Sequence, residues 1–158
     1  MILQVVGFKD VGKTTVMQDL VTYFKRLGYP VVTIKHHGHA GDEITLPDAH
    51  LDHMRHFHAG ADQSIVQGHQ YIESVQKYDQ MPLQTLIDEC VTIDESVILI
   101  EGYKNEHYDK IILYRNDEEY KQLQQLSNVK YALKRSATAT DDTAFKAWLA
   151  AWVLNDEG

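Results

Sequence analysis

Gly7-Phe8-Lys9-Asp10-Val11-Gly12-Lys13-Thr14 fits G-x-x-x-x-G-K-[ST] at every position. It stands between an apolar run, Ile2 to Val6, and a stretch carrying Met17, Leu20, Val21, Phe24 and Leu27 at helical spacing. Strand, loop and helix in that order are the setting this pattern requires. The glycines let the chain curl until successive backbone N–H groups converge on phosphate oxygens, and the positive end of the following helix adds to the attraction. Lys13 brings a point charge to the β- and γ-phosphates, and the Thr14 hydroxyl is a ligand for magnesium. Gly7, Lys9, Asp10, Val11, Gly12, Lys13, Thr14 and Thr15 are therefore the candidate nucleotide-binding residues, with Lys13 also a candidate catalytic group. The expected ligand is a purine nucleoside triphosphate with Mg2+. Lys9 is a second cation in the loop, read either as solvated or as reaching a γ-phosphate, its own or a neighbouring subunit's.

Outward from the loop, Gly28 suits the end of the helix and Pro30 prevents its continuation; Val31 to Ile34 is a β-branched run ending in Lys35. This closes a βαβ unit. Residues 36–51 lack periodicity and read as a long loop, followed by a short helix over 52–59 and strands near 64–67 and 71–75. Pro82 opens a helix to about Cys90, whose register with Leu83, Leu86 and Ile87 predicts a buried thiol. Val97 to Ile100 is continuously apolar, as in a strand covered on both faces. Lys110 to Tyr114 and Val129 to Leu133 are further strands, and residues 142–154 a closing amphipathic helix. The alternation predicts an α/β three-layer P-loop NTPase fold with a mostly parallel sheet, as one nucleotide-binding domain over residues 1–158.

The second half of a phosphate site should come from another strand end. Glu101, after four apolar residues, is the leading candidate for the Walker B carboxylate, catalytic and magnesium-binding, with Asp42, Asp48 and Asp52 behind it. Eight of the nine histidines lie between His36 and His69. His50, His53 and His56 recur at i, i+3 spacing and His36, His37 and His39 cluster, but neither set matches a closed zinc pattern. D-x-x-G and N-K-x-D are both missing, so Ras-like GTPases are disfavoured. Guanine selection by Thr140, Asp141 or Asp142 competes with an ordinary helix cap there.

A net charge of −8 opposes duplex nucleic acid as a partner, so any phosphate must be held locally. The opening residues have neither a basic n-region nor a long apolar run, and Cys90 is the only cysteine. The expectation is a cytoplasmic protein without a membrane partner.

Together, the stretch from Gly7-Phe8 to Thr15, Lys35-His36-His37, Asp52-x-x-Arg55-His56-x-x-Ala59-Gly60-Ala61 and Glu101-Gly102-Tyr103-Lys104 resemble the molybdopterin-guanine dinucleotide biosynthesis protein B (MobB) family. The resemblance implies a GTP-binding adapter with weak GTPase activity, usually a homodimer. It would assist a MobA-like nucleotidyltransferase in attaching GMP to molybdopterin. It also implies that Arg55 and Lys104 line the anionic site. Two other readings stay open. A small-metabolite P-loop kinase would need several arginines over the γ-phosphate, and Arg55, Arg115 and Arg135 read as too scattered for that. A metal-delivery GTPase would use the histidine-rich segment. Homodimerisation would draw on Lys110 to Tyr114 as a sheet edge.

Overall fold

The computed structural model describes residues 1–38, 43–136 and 142–156. Two compact units divide the chain, one formed by residues 1–38 with 89–158 and the other by 39–88. The elements are β1 Ile2–Gly7, α1 Lys13–Arg26, β2 Val31–Lys35, α2 Asp52–His58, β3 Gln63–Gln67, β4 Ile72–Gln76, α3 Leu83–Cys90, β5 Val97–Glu101, β6 Asp109–Tyr114, α4 Asp117–Leu123, β7 Val129–Lys134 and α5 Thr143–Asp156.

The first unit holds a five-stranded sheet in the order β2-β5-β1-β6-β7, parallel at every pairing. Every residue of β5 is buried, which is why its sequence does not alternate: both faces are covered. On one face Leu3, Val5, Leu99, Ile111 and Leu113 share a core with Val16, Leu20 and Phe24 of α1 and Phe145, Leu149 and Trp152 of α5. On the other, Val6 and Ile112 meet Leu123 of α4. The predicted three-layer α/β architecture is observed.

Because all five strands run the same way, Gly7, Lys35, Glu101, Tyr114 and Lys134 end together along one rim of the sheet. Ligands of such sheets sit beyond that rim.

Three expectations are corrected. β6 is not a sheet edge; it lies between β1 and β7, and its apolar surplus reflects cover on both faces and partners on both sides. Cys90 is exposed, since it is the last residue of α3 and lies past Leu83 and Ile87, the buried residues of that helix. Helix α4 was unanticipated. Its start is written as Asn116-x-x-Glu119: the Asn116 side chain accepts from the Glu119 N–H, while the Glu119 carboxylate accepts from the Arg115 N–H.

In the second unit, α2 packs on the antiparallel hairpin β3–β4 through Met54 and Phe57. The Ser64 hydroxyl donates to the His53 carbonyl at 2.7 Å, and His53 Nε2 lies 2.8 Å from Glu73 Oε1. Lys77 sits 5.0 Å from the Phe57 ring centre.

Candidate nucleotide site

The loop between β1 and α1 takes the shape its glycines permit. A Cβ at Gly7 would fall 2.8 Å from both the Leu113 carbonyl and Val11 Cγ1, so only glycine lets the loop leave the sheet this close to β6. Gly12 adopts φ 100°, a left-handed conformation that admits glycine readily, and Asp10 is also left-handed. Gly12 is the N-cap of α1 and supplies no side-chain acceptor; no acidic residue stands in the first turn. The first N–H groups of a 14-residue helix thus face the loop without an internal anion to satisfy them. Thr14 and Thr15 are exposed in that turn, as are Lys9 and Asp10 on the loop. Val11 turns inward and is buried.

Lys13 folds back over the loop. Its Nζ donates to the Gly7 carbonyl at 2.8 Å and the Phe8 carbonyl at 2.9 Å. Burial lowers its pKa from the ordinary lysine value; Glu101 and Asp10 pull the other way, while Lys35 and Arg115 reinforce the lowering. Glu101 is thus near enough to Lys13 to act on its charge.

Glu101 is buried at the end of β5, and its Oε1 accepts from Lys35 Nζ at 3.0 Å. The pair is fixed by strand register, since Lys35 and Glu101 are direct partners across β2 and β5. Beyond it, Gly102 and Tyr103 have positive φ, and the Tyr103 ring stacks on His36 at 4.2 Å. Two buried side chains hold this turn. Gln4 donates to the carbonyls of Gly102 and Tyr103 at 3.1 and 2.9 Å. Lys110, its register partner, donates to those of Glu106 and Tyr108. Lys104 is exposed on the turn so held.

Other candidates fall elsewhere. Arg55 is exposed on α2 in the second unit, where it lines a cavity of about 390 Å³ with Asp52, His56 and Ala59. His53 is engaged by Glu73, and among the described residues no group of three His, Cys, Asp or Glu side chains is arranged to hold a metal. The Asp142 carbonyl accepts from the Lys146 N–H at the head of α5. His39, Asp42, Thr140 and Asp141 lie outside the described residues.

Of the three arginines read as scattered, Arg115 and Arg135 fall at the rim of the first unit, whereas Arg55 lies in the second. Arg115 follows β6 and is close enough to Lys13 to affect its titration; Arg135 follows β7, and its guanidinium lies against Gly12. Lys35, Arg115 and Arg135 were missed as site residues. The available signal was that each ends or follows an apolar strand, and in a parallel sheet such residues share one rim. A chain of net charge −8 therefore gathers Lys13, Lys35, Arg115 and Arg135 along the rim where its phosphate loop stands.

The oxygen donors of Thr14 and Glu101 are of the kind magnesium takes beside a triphosphate. The fit has a condition: Glu101 is neutralised by Lys35, so its carboxylate must share or exchange that cation to reach a metal.

The sequence profile of MobB, described as molybdopterin guanine dinucleotide synthesis protein B, matches residues 2–135. A Bacillus subtilis protein described as a probable molybdopterin-guanine dinucleotide biosynthesis adapter protein is 29% identical over 89% of this chain and 80% of its own. The Escherichia coli molybdopterin-guanine dinucleotide biosynthesis adapter protein is 30% identical over 73% of this chain and 66% of its own. Among solved structures, Bacillus subtilis MobB superposes with a TM-score of 0.73 at 28% identity, covering 94% of this chain and 96% of that one. A MobB homologue from Bacillus stearothermophilus gives 0.70 at 25% identity, with 98% and 96% covered.

Proposed function

The chain belongs to the family of molybdopterin guanine dinucleotide synthesis protein B, MobB, and from that membership we propose that it is a GTP-binding adapter in molybdopterin guanine dinucleotide biosynthesis. In this role it binds GTP with Mg2+, hydrolyses it slowly, acts as a homodimer, and assists a MobA-like nucleotidyltransferase that attaches GMP to molybdopterin. The observation that carries the reading is the uncapped N-terminus of α1, wrapped by a complete G-x-x-x-x-G-K-T loop and flanked by Lys13, Lys35, Arg115 and Arg135. Four cations gathered at one rim of a chain of net charge −8 give a polyanion a local site of attraction.

The residues divide the work. The N–H groups of residues 12–15 converge on the phosphates, and Lys13 exchanges its two carbonyl partners for β- and γ-phosphate oxygens. Mg2+, when bound, neutralises charge between those phosphates. Glu101 orients the attacking water or the metal's water shell from the end of β5. Gln4 and Lys110 keep the following turn, with Tyr103 and Lys104, in fixed register with Glu101. The kinase reading is weaker, because Arg115 is engaged by Glu119 through Nε at 2.9 Å and its own backbone N–H at 2.8 Å.

Isothermal titration with GTP and ATP, with and without magnesium, tests the nucleotide assignment. Pull-down of the tagged chain against a purified MobA-like nucleotidyltransferase tests the adapter role. Equal, magnesium-independent affinities would overturn the GTP assignment, and no association under any nucleotide condition would overturn the partnership.

A further inference from the structure

Arg135 brings more than charge to the rim. It follows β7, and its backbone N–H donates to the Tyr114 carbonyl at 2.7 Å, so the pairing with β6 runs one residue past the strand. Side chains alternate along such an extended chain. Leu133 lies in the core that contains Val16 and Leu20 of α1, and Tyr131 packs against it. Two residues beyond Leu133, Arg135 falls on the same face and comes to the head of that helix, where its half-buried side chain meets Gly12. A Cβ built on Gly12 would lie 3.4 Å from its Nε and 3.5 Å from its Nη2, with Cζ behind them at 3.8 Å. The guanidinium therefore turns its Nε–Nη2 edge to the phosphate loop. On that edge two N–H bonds run side by side, the fork with which arginine grips two oxygens of one phosphate or carboxylate. Gly12 has no side chain to accept from the fork. Among the described residues no carboxylate pairs with Arg135, whereas Lys35 is matched by Glu101 and Arg115 by Glu119.

Strand order decides which end of a phosphate chain the fork faces. Lys35 and Glu101 end β2 and β5, on one side of β1; Arg135 follows β7, on the other. With the terminal phosphate and its magnesium beside Glu101, the phosphates nearer the nucleoside lie towards β6 and β7. We propose that Arg135 is a bidentate ligand of those inner phosphates, α and β, and closes the loop from the side opposite Glu101. The inference deepens the reading that this loop binds a nucleoside triphosphate, and rests on it. Its consequence is a division between two sides of the rim. Arg135 adds affinity that diphosphate and triphosphate share, and recognition of the γ-phosphate is left to the Glu101 side.

The test titrates the intact wild type, Arg135→Ala, Arg135→Lys and Lys13→Ala with GTP, GDP and inorganic tripolyphosphate in the presence of magnesium, with melting curves on the same samples to establish that each variant is folded. Arg135→Ala is expected to weaken GTP and GDP by the same factor, about ten- to fiftyfold, and tripolyphosphate to a similar extent. Arg135→Lys keeps the charge and loses the fork, so its affinities should stay closer to those of Arg135→Ala than to wild type. A larger loss for GTP than for GDP would place the fork on the terminal phosphate. A loss that spares tripolyphosphate would make Arg135 a contact of the nucleoside, and full recovery in Arg135→Lys would reduce it to a point charge. Each of these overturns the proposal. Wild-type affinity in Arg135→Ala, with all three probes weakened in Lys13→Ala, overturns it too and leaves the nucleotide reading standing. A wild type that binds none of the probes overturns the nucleotide reading itself, and this inference with it.

Discussion

At the scale of single residues, the loop lysine turns its charge back onto its own backbone. Lys13 has two carbonyl partners, which a bound triphosphate would displace, and burial disfavours its charged form. A charge-assisted contact to phosphate is worth about 1.5–3 kcal/mol, so Lys13→Ala should lower triphosphate affinity at least tenfold by titration. Unchanged curves would remove Lys13 from the site. The pH dependence follows in sign. Only protonated Lys13 attracts phosphate, and its pKa lies below the ordinary 10.5, so affinity should begin to fall with rising pH earlier than for an unperturbed lysine. In Lys13→Ala this component of the pH profile should vanish. Glu101→Gln keeps the side-chain shape and an acceptor for Lys35 while removing the charge. It should retain most nucleotide affinity and slow single-turnover hydrolysis by roughly ten- to a thousandfold. A variant that binds, melts and hydrolyses like wild type would remove Glu101 from the chemistry. These two residues were legible in the sequence because each sits in a contiguous pattern. Lys35, Arg115 and Arg135 were not, since they meet only through the strand order β2-β5-β1-β6-β7.

At the scale of elements, the sequence read well wherever periodicity and burial agree. β1, α1, β2, β5 and α5 fall within two residues of their expected bounds because each buries a face or both faces in one core. Helix α4 escaped notice because its seven residues Asp117–Leu123 bury only Leu123 and so carry almost no apolar period. What specifies it is its start: the Asn116 cap, three acidic residues in the first turn, and Glu119 reaching back to the Arg115 N–H. Cap and dipole substitute for a hydrophobic stripe. Asn116→Ala should cost about 1 kcal/mol, a fall of about 2–4 °C in melting temperature for a chain of this size. Asn116→Asp should cost little. Equal loss in both variants would mean that the amide acts through some contact other than the cap. The misreading of β6 as an edge has the same root, because an apolar run reports cover on its faces and says nothing of how many neighbours it has.

At the scale of the whole molecule, charge and sheet edges govern what the chain can meet. Cations at the phosphate rim, against a net charge of −8, favour a compact polyanion over a duplex. They do not distinguish guanine from adenine, so the base preference rests on family membership. Dimerisation rests there too, but the structure narrows where it would form. β6 is interior, and the free edge strand β7 carries exposed Lys130 and Lys134, the kind of charge that discourages edge-to-edge pairing. The hairpin β3–β4 has only its own two strands, neither with a lysine or proline, and its exposed face includes Ile65 and Ile72 at 62% and 70% exposure. Helix α2 packs on this ribbon, and the exposed isoleucines remain available to a partner. The hairpin is thus the expected contact between copies. Light scattering at high micromolar concentration should give twice the chain mass, and Ile65→Lys should shift it towards one chain without altering nucleotide affinity, because Ile65 packs little against its own unit. A wild type of single-chain mass would end the dimer assignment. A variant that stays dimeric would move the contact to the free edge of β2, where Val31→Lys is the next substitution to measure.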